Sequence, residues 1–285
     1  MLVHNLLPAN GYIVYNDGAD TILVDTGAPV TIRRGSSGVG SFVTRLRTMV
    51  NNLPGPMGDI FRGLMAGRTD EDIMDLFRSP EGRMLASQMG IDVDSLDVSD
   101  VDTAKLMGVD FDSIVNHIGQ PVNVIMGNDQ LEKSKVLVDY SRGIITFGDN
   151  VSLTGTVVLC SLSANYLVVK AKINGATRKV FFDTGAPTSY VSEAWLDGCP
   201  KVGEAEDFHP LVGFFTAPVY SAPVNFAGRS ANVEIGVLPN KLQAMLETQG
   251  GLIAGEGTDG VIGRGFFPSN KMLLDIAGRT ITFGE

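Results

Sequence analysis

The chain contains few cysteines and few basic residues, and it has no long run of apolar residues. Its two cysteines, Cys160 and Cys199, are too sparse in 285 residues for a disulfide framework, so we expect two ordinary thiols. A formal net charge of -10 argues against a nucleic-acid partner, because phosphate binding draws on clustered lysine and arginine. No stretch approaches the roughly 18 apolar residues that span a membrane, so no membrane partner is expected.

Signals for targeting and for metal binding are also missing. Residues 1–5 do not open a basic segment followed by a long apolar one, so a secretory signal is not predicted and a cytoplasmic protein is the simplest expectation. The three histidines, His4, His117 and His209, are scattered and lack the spacing of metal ligands. We therefore predict neither a metal nor a cofactor.

What the chain does have is one five-residue motif that occurs twice. Asp-Thr-Gly-Ala-Pro begins at Asp25 and again at Asp183, each time directly after an apolar run. A carboxylate that follows a buried strand on a glycine-containing turn is held rigidly. Two such carboxyl groups in similar half-molecules can meet across a pseudo-twofold axis and share one proton, an arrangement that activates water for amide hydrolysis.

The surroundings of the two motifs match as well. An offset of 158 aligns Asn174 with Asn16 and Ser189 with Thr31 without a gap. A second offset, 136, relates three further pairs of segments: 125–128 and 261–264, 137–139 and 273–275, and 145–148 and 281–284. The chain is predicted to be an internal duplication of one β-rich unit.

The first half carries extra residues between its matched motifs. Gly27 and Gly127 are 100 positions apart, whereas Gly185 and Gly263 are 78 apart. Apolar residues within the longer spacing recur at helical intervals. We therefore predict an N-terminal lobe at 1–152 with a mostly helical insertion at about 41–118, followed by a C-terminal lobe at 153–285.

These motifs resemble those of the pepsin and retropepsin superfamily of aspartic peptidases, in the two-lobed single-chain form. Both Asp-Thr-Gly-Ala motifs carry the resemblance, and Val261–Gly265 is similar to the apolar-apolar-Gly-Arg element of retropepsins. It covers 11–32 and 122–149 in the first lobe, and 165–192 and 259–285 in the second. The resemblance implies a mainly β, bilobal acid-protease fold and an aspartic endopeptidase that hydrolyses peptide bonds.

The resemblance also implies roles for individual residues. Asp25 and Asp183 are expected to form the catalytic dyad. The residues expected to support the dyad are Thr26, Gly27, Ala28, Thr184, Gly185 and Ala186. Pepsin has a hydroxyl residue where this chain has Ala28 and Ala186, and a hydroxyl donor would lower a carboxyl pKa. Its absence predicts a working range on the order of pH 5 to 7.

Members of this superfamily cover the cleft with one or two β-hairpin flaps, and one candidate appears about 30 residues after Asp183. The flap residues predicted to contact substrate are Gly213, Phe214, Phe215 and Thr216. The alternative is that these aromatic residues only pack the lobe core. In the first lobe the helical insertion occupies the corresponding place, so either it forms a lid or the enzyme has one flap.

Two classes of function remain open. The favoured one is an endopeptidase acting on a peptide or protein substrate, for which a monomer suffices and a homodimer is possible. The alternative is a non-catalytic peptide-binding or assembly module on a protease fold, or a latent protease occluded by its helical insertion.

Overall fold

The computed structural model describes residues 1–34, 109–163, 165–209, 213–240, 258–267 and 269–284, with short stretches or single positions between 43 and 79 and at 242–243. The strands are β1 (Leu2–Asn5), β2 (Val14–Asn16), β3 (Thr21–Val24), β4 (Ile32–Arg33), β5 (Val124–Met126), β6 (Val136–Asp139), β7 (Ile144–Phe147), β8 (Thr156–Leu159), β9 (Ser161–Ser163), β10 (Tyr166–Ile173), β11 (Ala176–Phe182), β12 (Ser189–Val191), β13 (Lys201–His209), β14 (Gly213–Phe226), β15 (Arg229–Val237), β16 (Thr258–Ile262), β17 (Lys271–Asp275) and β18 (Thr280–Gly284). The helices are α1 (Phe111–Ile118), α2 (Asn128–Leu131) and the 3-10 turns Glu193–Leu196 and Arg264–Phe266.

The chain is mainly β, as the sequence predicted, and the strands among the described residues form three sheets. A six-stranded sheet has the order β1-β7-β6-β17-β18-β8. Strands β1, β6 and β7 come from the first half of the chain, residues 1–152. The other three come from the second half, residues 153–285. The halves join where β6 pairs antiparallel with β17, so this sheet ties the two halves together through backbone hydrogen bonds.

The two motif-bearing strands lie in sheets with the same local pairing. In the four-stranded sheet β2-β3-β5-β4, β3 is antiparallel to β2 and parallel to β5, and β4 is antiparallel to β5. In the eight-stranded sheet the strands β10, β11, β16 and β12 repeat this order and these directions. Both central strands, β3 and β11, end in fully buried apolar residues directly before an Asp-Thr-Gly motif.

Strand register corrects one detail of the sequence alignment. Tyr15 pairs with Ile22 in the first hairpin, and Val169 pairs with Val180 in the second. Equivalent residues in the strand after the turn, such as Ile22 and Val180, are 158 positions apart. Those in the strand before the turn, such as Tyr15 and Val169, are 154 apart, because the second hairpin is longer. The alignment of Asn16 with Asn174 is therefore wrong, since Asn174 lies at the end of the extended hairpin.

Helix α1 lies inside the segment predicted to be mostly helical. The Asp110 side chain accepts a hydrogen bond from the Asp112 N–H at its start, and Gly119, with φ of 75°, ends it in the left-handed conformation. Its buried residues face the apolar cluster around Val14 and Leu23. Residues 62–65, 72–73 and 75–76 are also helical, while most of 41–108 lies outside the described residues.

The largest apolar cluster draws on both halves of the chain, and Phe182 lies fully buried within it. Its ring stacks on Phe267 with centroids 4.8 Å apart and meets the edge of Phe283 at 6.2 Å. Because Phe182 directly precedes Asp183, this packing fixes the end of β11. Cys160, also in this cluster, and Cys199 are both free thiols.

Phe182→Ala is expected to lower the free energy of unfolding by about 3–5 kcal/mol, since it removes a buried ring and leaves a cavity. Val202→Ala is the control, because Val202 is 51% exposed and its truncation should change stability by no more than about 0.5 kcal/mol. Urea unfolding of both variants checks this. If the two variants lost the same free energy of unfolding, the burial of Phe182 in the core would be contradicted.

Candidate active site

The two Asp-Thr-Gly motifs leave their sheets at equivalent points. The Asp25 N–H donates to the Met126 carbonyl at 3.0 Å, and the Asp183 N–H donates to the Ile262 carbonyl at 3.0 Å. Each bond continues the parallel pairing of the strand that precedes the motif with its neighbour. The same backbone hydrogen bond therefore positions each Asp at the end of its strand, within its own sheet.

Two buried threonines clasp the motifs across the two halves. The Thr26 N–H donates to Thr184 Oγ1 at 3.0 Å, and the Thr184 N–H donates to Thr26 Oγ1 at 2.9 Å. Each hydroxyl in turn donates to a carbonyl of the opposite half, Thr26 to Phe182 at 2.7 Å and Thr184 to Val24 at 2.9 Å. Four reciprocal bonds, called the threonine clasp below, thus fix the separation of the two turns.

The glycines allow the motifs to approach each other closely. A Cβ atom on Gly27 would lie 2.4 Å from Asp183 Oδ2, and one on Gly185 would lie 2.5 Å from Asp25 Cγ. Each glycine N–H also donates to the carboxylate of its own motif, at 2.8 Å for Gly27 and 2.7 Å for Gly185. No other residue type fits here without moving a carboxyl group.

The side chains of Asp25 and Asp183 lie close enough for each to affect the pKa of the other. Burial raises the pKa of Asp25 well above its usual value, and the neighbouring charge of Asp183 raises it further. Burial also raises the pKa of Asp183, while its hydrogen bonds from Asp25 and from the glycine N–H groups act in the opposite direction. Both carboxyl groups are therefore harder to ionise than an isolated aspartate.

The segments matched at the offset of 136, residues 125–128 and 261–264, form backbone hydrogen bonds with the two motifs. The carbonyl of Ala28 accepts from the Asn128 N–H at 2.9 Å, and the carbonyl of Ala186 accepts from the Arg264 N–H at 2.9 Å. Neither alanine brings a side-chain donor to the carboxyl groups. Thr31 and Ser189, which the offset of 158 aligns, accept equivalent hydrogen bonds. The Thr31 hydroxyl accepts from the Gly127 N–H and the Ser189 hydroxyl accepts from the Gly263 N–H, each at 3.0 Å.

The hairpin formed by β13 and β14 carries the four residues predicted to form a flap. Gly213 pairs with His209 and has φ of 83°, and Thr216 pairs with Glu206. Phe214 is 66% exposed, whereas Phe215 packs against the Tyr190 ring at 5.5 Å. The core-packing alternative thus describes Phe215, while Phe214 remains mostly exposed and adjoins α1.

Sequence reasoning missed two tyrosines near the dyad. Burial raises the pKa of Tyr12, and the charges of Asp207, Asp183 and Asp25 raise it further. Burial likewise raises the pKa of Tyr166, followed by the charges of Asp25 and Asp183. The register gives an offset of 154 for the strand before each turn, and the same offset relates Tyr12, two residues before β2, to Tyr166 at the start of β10. An ungapped alignment at 158 hides this relation.

No cluster of three or more histidine, cysteine, aspartate or glutamate side chains suited to a metal ion occurs among the described residues. In the same part of the chain, no helix has the length and apolar character needed to cross a bilayer.

Comparison with known proteins gives little beyond this geometry. The chain matches no family model and no curated protein. It is similar to the solution structure of simian foamy virus (mac) protease at 19% identity, with 34% of this chain and 86% of that one covered and a TM-score of 0.24. A foamy viral protease-reverse transcriptase in complex with double-stranded DNA is 24% identical over 25% of this chain, with a TM-score of 0.21, and only 12% of its length is spanned. TM-scores this low do not support a functional assignment, so any such assignment rests on the residues of the site.

Thr26→Ala is expected to lower the free energy of unfolding by roughly 2–4 kcal/mol, because it leaves the buried Thr184 N–H and Phe182 carbonyl without partners. Thr26→Ser keeps the hydroxyl and should recover most of the loss. Denaturant unfolding of the two variants gives the comparison. If serine were as destabilising as alanine, the clasp would not depend on the hydroxyl.

Proposed function

We propose that the protein is an aspartic endopeptidase with Asp25 and Asp183 as its catalytic dyad. The observation that carries this proposal is the contact between two partly buried carboxyl groups of raised pKa, each from one copy of the same motif. Such a pair is the chemical requirement for general acid and general base catalysis by carboxyl groups. The threonine clasp and the close glycines hold it in place.

The proposed reaction uses the two carboxyl groups in complementary protonation states. The ionised one accepts a proton from a bound water, and that water attacks the carbonyl carbon of the peptide bond. The protonated one donates a hydrogen bond to the carbonyl oxygen as negative charge develops there. Collapse of the tetrahedral intermediate breaks the C–N bond, and a carboxyl proton passes to the leaving nitrogen. The free dyad is then again singly protonated.

We also propose that the fold is an internal duplication with lobes at 1–152 and 153–285. The equivalent pairing of β2-β3-β5-β4 and β10-β11-β16-β12 supports this, as does the symmetric order of the six-stranded sheet. Because one chain supplies both motifs, a monomer suffices for catalysis. The substrate is a peptide or protein chain, and the β13–β14 hairpin is the proposed flap beside it.

The raised pKa values set the proposed working range. A singly protonated dyad persists to higher pH when both carboxyl groups are buried and no hydroxyl side chain donates to them. Activity is therefore expected in mild acid to near-neutral solution, on the order of pH 5 to 7.

Digestion of a peptide library across roughly pH 4 to 7.5, with cleavage read by mass spectrometry, tests the function. Asp25→Asn and Asp183→Asn should each reduce cleavage by about 10²- to 10⁴-fold or more, since each removes one proton-transfer group. Asp17→Asn is the matched control. Asp17 is exposed in a turn, where its Oδ1 accepts from the Ala19 and Asp20 N–H groups, and an asparagine oxygen can keep both bonds.

Cleavage that survives in both dyad variants would contradict the proposal. No cleavage by folded wild type at any pH would favour a non-catalytic peptide-binding module or a latent form instead. Circular dichroism of each variant shows whether a loss of activity reflects a loss of fold.

A further inference from the structure

One buried carboxylate outside the dyad joins three parts of the molecule. Asp207 lies near the end of β13 and is only 6% exposed. Its Oδ2 accepts from the Tyr190 hydroxyl of β12 at 2.7 Å, and its Oδ1 accepts from the Phe208 N–H at 2.8 Å. Oδ1 also lies 3.4 Å from His117 Nε2 on α1, which belongs to the first half of the chain.

Aromatic rings surround the contact between Asp207 and His117. The His117 ring lies 5.8 Å from Phe208, 6.0 Å from Phe214 and 5.9 Å from Tyr12. Phe208 and Phe214 are 5.0 Å apart on neighbouring strands of the hairpin. Phe208 also packs against the apolar cluster of the first half. The β13–β14 hairpin of the second half is therefore seated on α1 and Tyr12 of the first half.

We propose that Asp207 is a positioning residue that holds the β13–β14 hairpin against the first half through His117, and so places the hairpin beside the dyad for substrate. Tyr190 anchors the same carboxylate to the second half. The carboxylate thus bridges the two halves. This inference rests on the proposed function for its kinetic consequences, but the docking itself does not require catalysis.

Several titratable groups face Asp207. From the described elements they are His117 on α1, Tyr190 on β12, Tyr12 before β2 and Asp183 of the second motif. On the hairpin itself, burial lowers the pKa of His209 to about 4, so that imidazole is uncharged near neutral pH. His117 Nε2 faces the carboxylate at 3.4 Å from Oδ1, in a partly buried setting where an interaction with a carboxylate is stronger than at an exposed surface.

Asp207 also acts on the dyad through space. Its negative charge contributes to the raised pKa of Asp183, which places it close enough for its charge to affect the site. Removing that charge should lower the pKa of Asp183 and move the pH–rate profile towards acid. A purely structural contact would not shift the profile in this way.

Hydrogen exchange followed by mass spectrometry tests the docking without any need for activity. In Asp207→Asn and His117→Phe, the latter keeping an aromatic ring, peptides that cover 205–209 and 213–217 should exchange about tenfold faster. Glu204→Gln is the matched control, because Glu204 pairs with Lys201 on the exposed part of the same hairpin. Its exchange should equal that of wild type.

The kinetic arm separates positioning from chemistry. Both variants should raise KM for a peptide several-fold with a smaller change in kcat, and only Asp207→Asn should shift the pH–rate profile to lower pH. Wild-type exchange in the hairpin of both variants, or an equal increase in every sheet, would overturn the proposal. If wild type cleaves no peptide, the proposed function fails while the exchange result still decides the docking.

Discussion

The contact between Asp25 and Asp183 is the constraint on which the rest of the site depends. Two carboxyl groups that touch in a partly buried place repel each other when both are ionised, so the surrounding structure must hold them together. The threonine clasp does this by reciprocal backbone bonds, and Gly27 and Gly185 leave room for it. The six-stranded sheet, with strands from both halves, fixes the relative position of the halves behind the clasp.

Much of this site could be predicted from the sequence because its contacts are encoded locally and twice. The repeated Asp-Thr-Gly-Ala motif marks both turns in the sequence, and the chain is mainly β as expected. The hairpin extension that shifts the offset from 158 to 154 could not be predicted, since Asn16 and Asn174 each begin a plausible turn. Tyr12 and Tyr166 were missed for that reason. The contact of Asp207 with His117 joins residues 90 positions apart and depends on how a long hairpin crosses to the other half.

The two halves differ in the elements that they add around the two motifs. The second half contributes the long β13–β14 hairpin, and the first half contributes α1, which receives it. The Asp-Thr-Gly turns themselves are equivalent, because each carboxyl group accepts from its own glycine N–H and each Asp N–H donates to a carbonyl of the neighbouring strand. Around these turns the halves are not equivalent, since one hairpin and one helix form the contact between them. Fold alone does not establish activity, so the test of function falls on the two carboxyl groups.

The most direct test is the free energy of unfolding of wild type and Asp25→Asn, measured in urea from pH 3.5 to 7.5. A carboxyl whose pKa is raised in the folded state contributes stability that is present below its unfolded pKa of about 4 and is lost as pH rises through the folded pKa. Wild type should lose stability relative to Asp25→Asn as pH rises, by about 1.4 kcal/mol for each unit of raised pKa. Parallel curves across this range would contradict a shared proton.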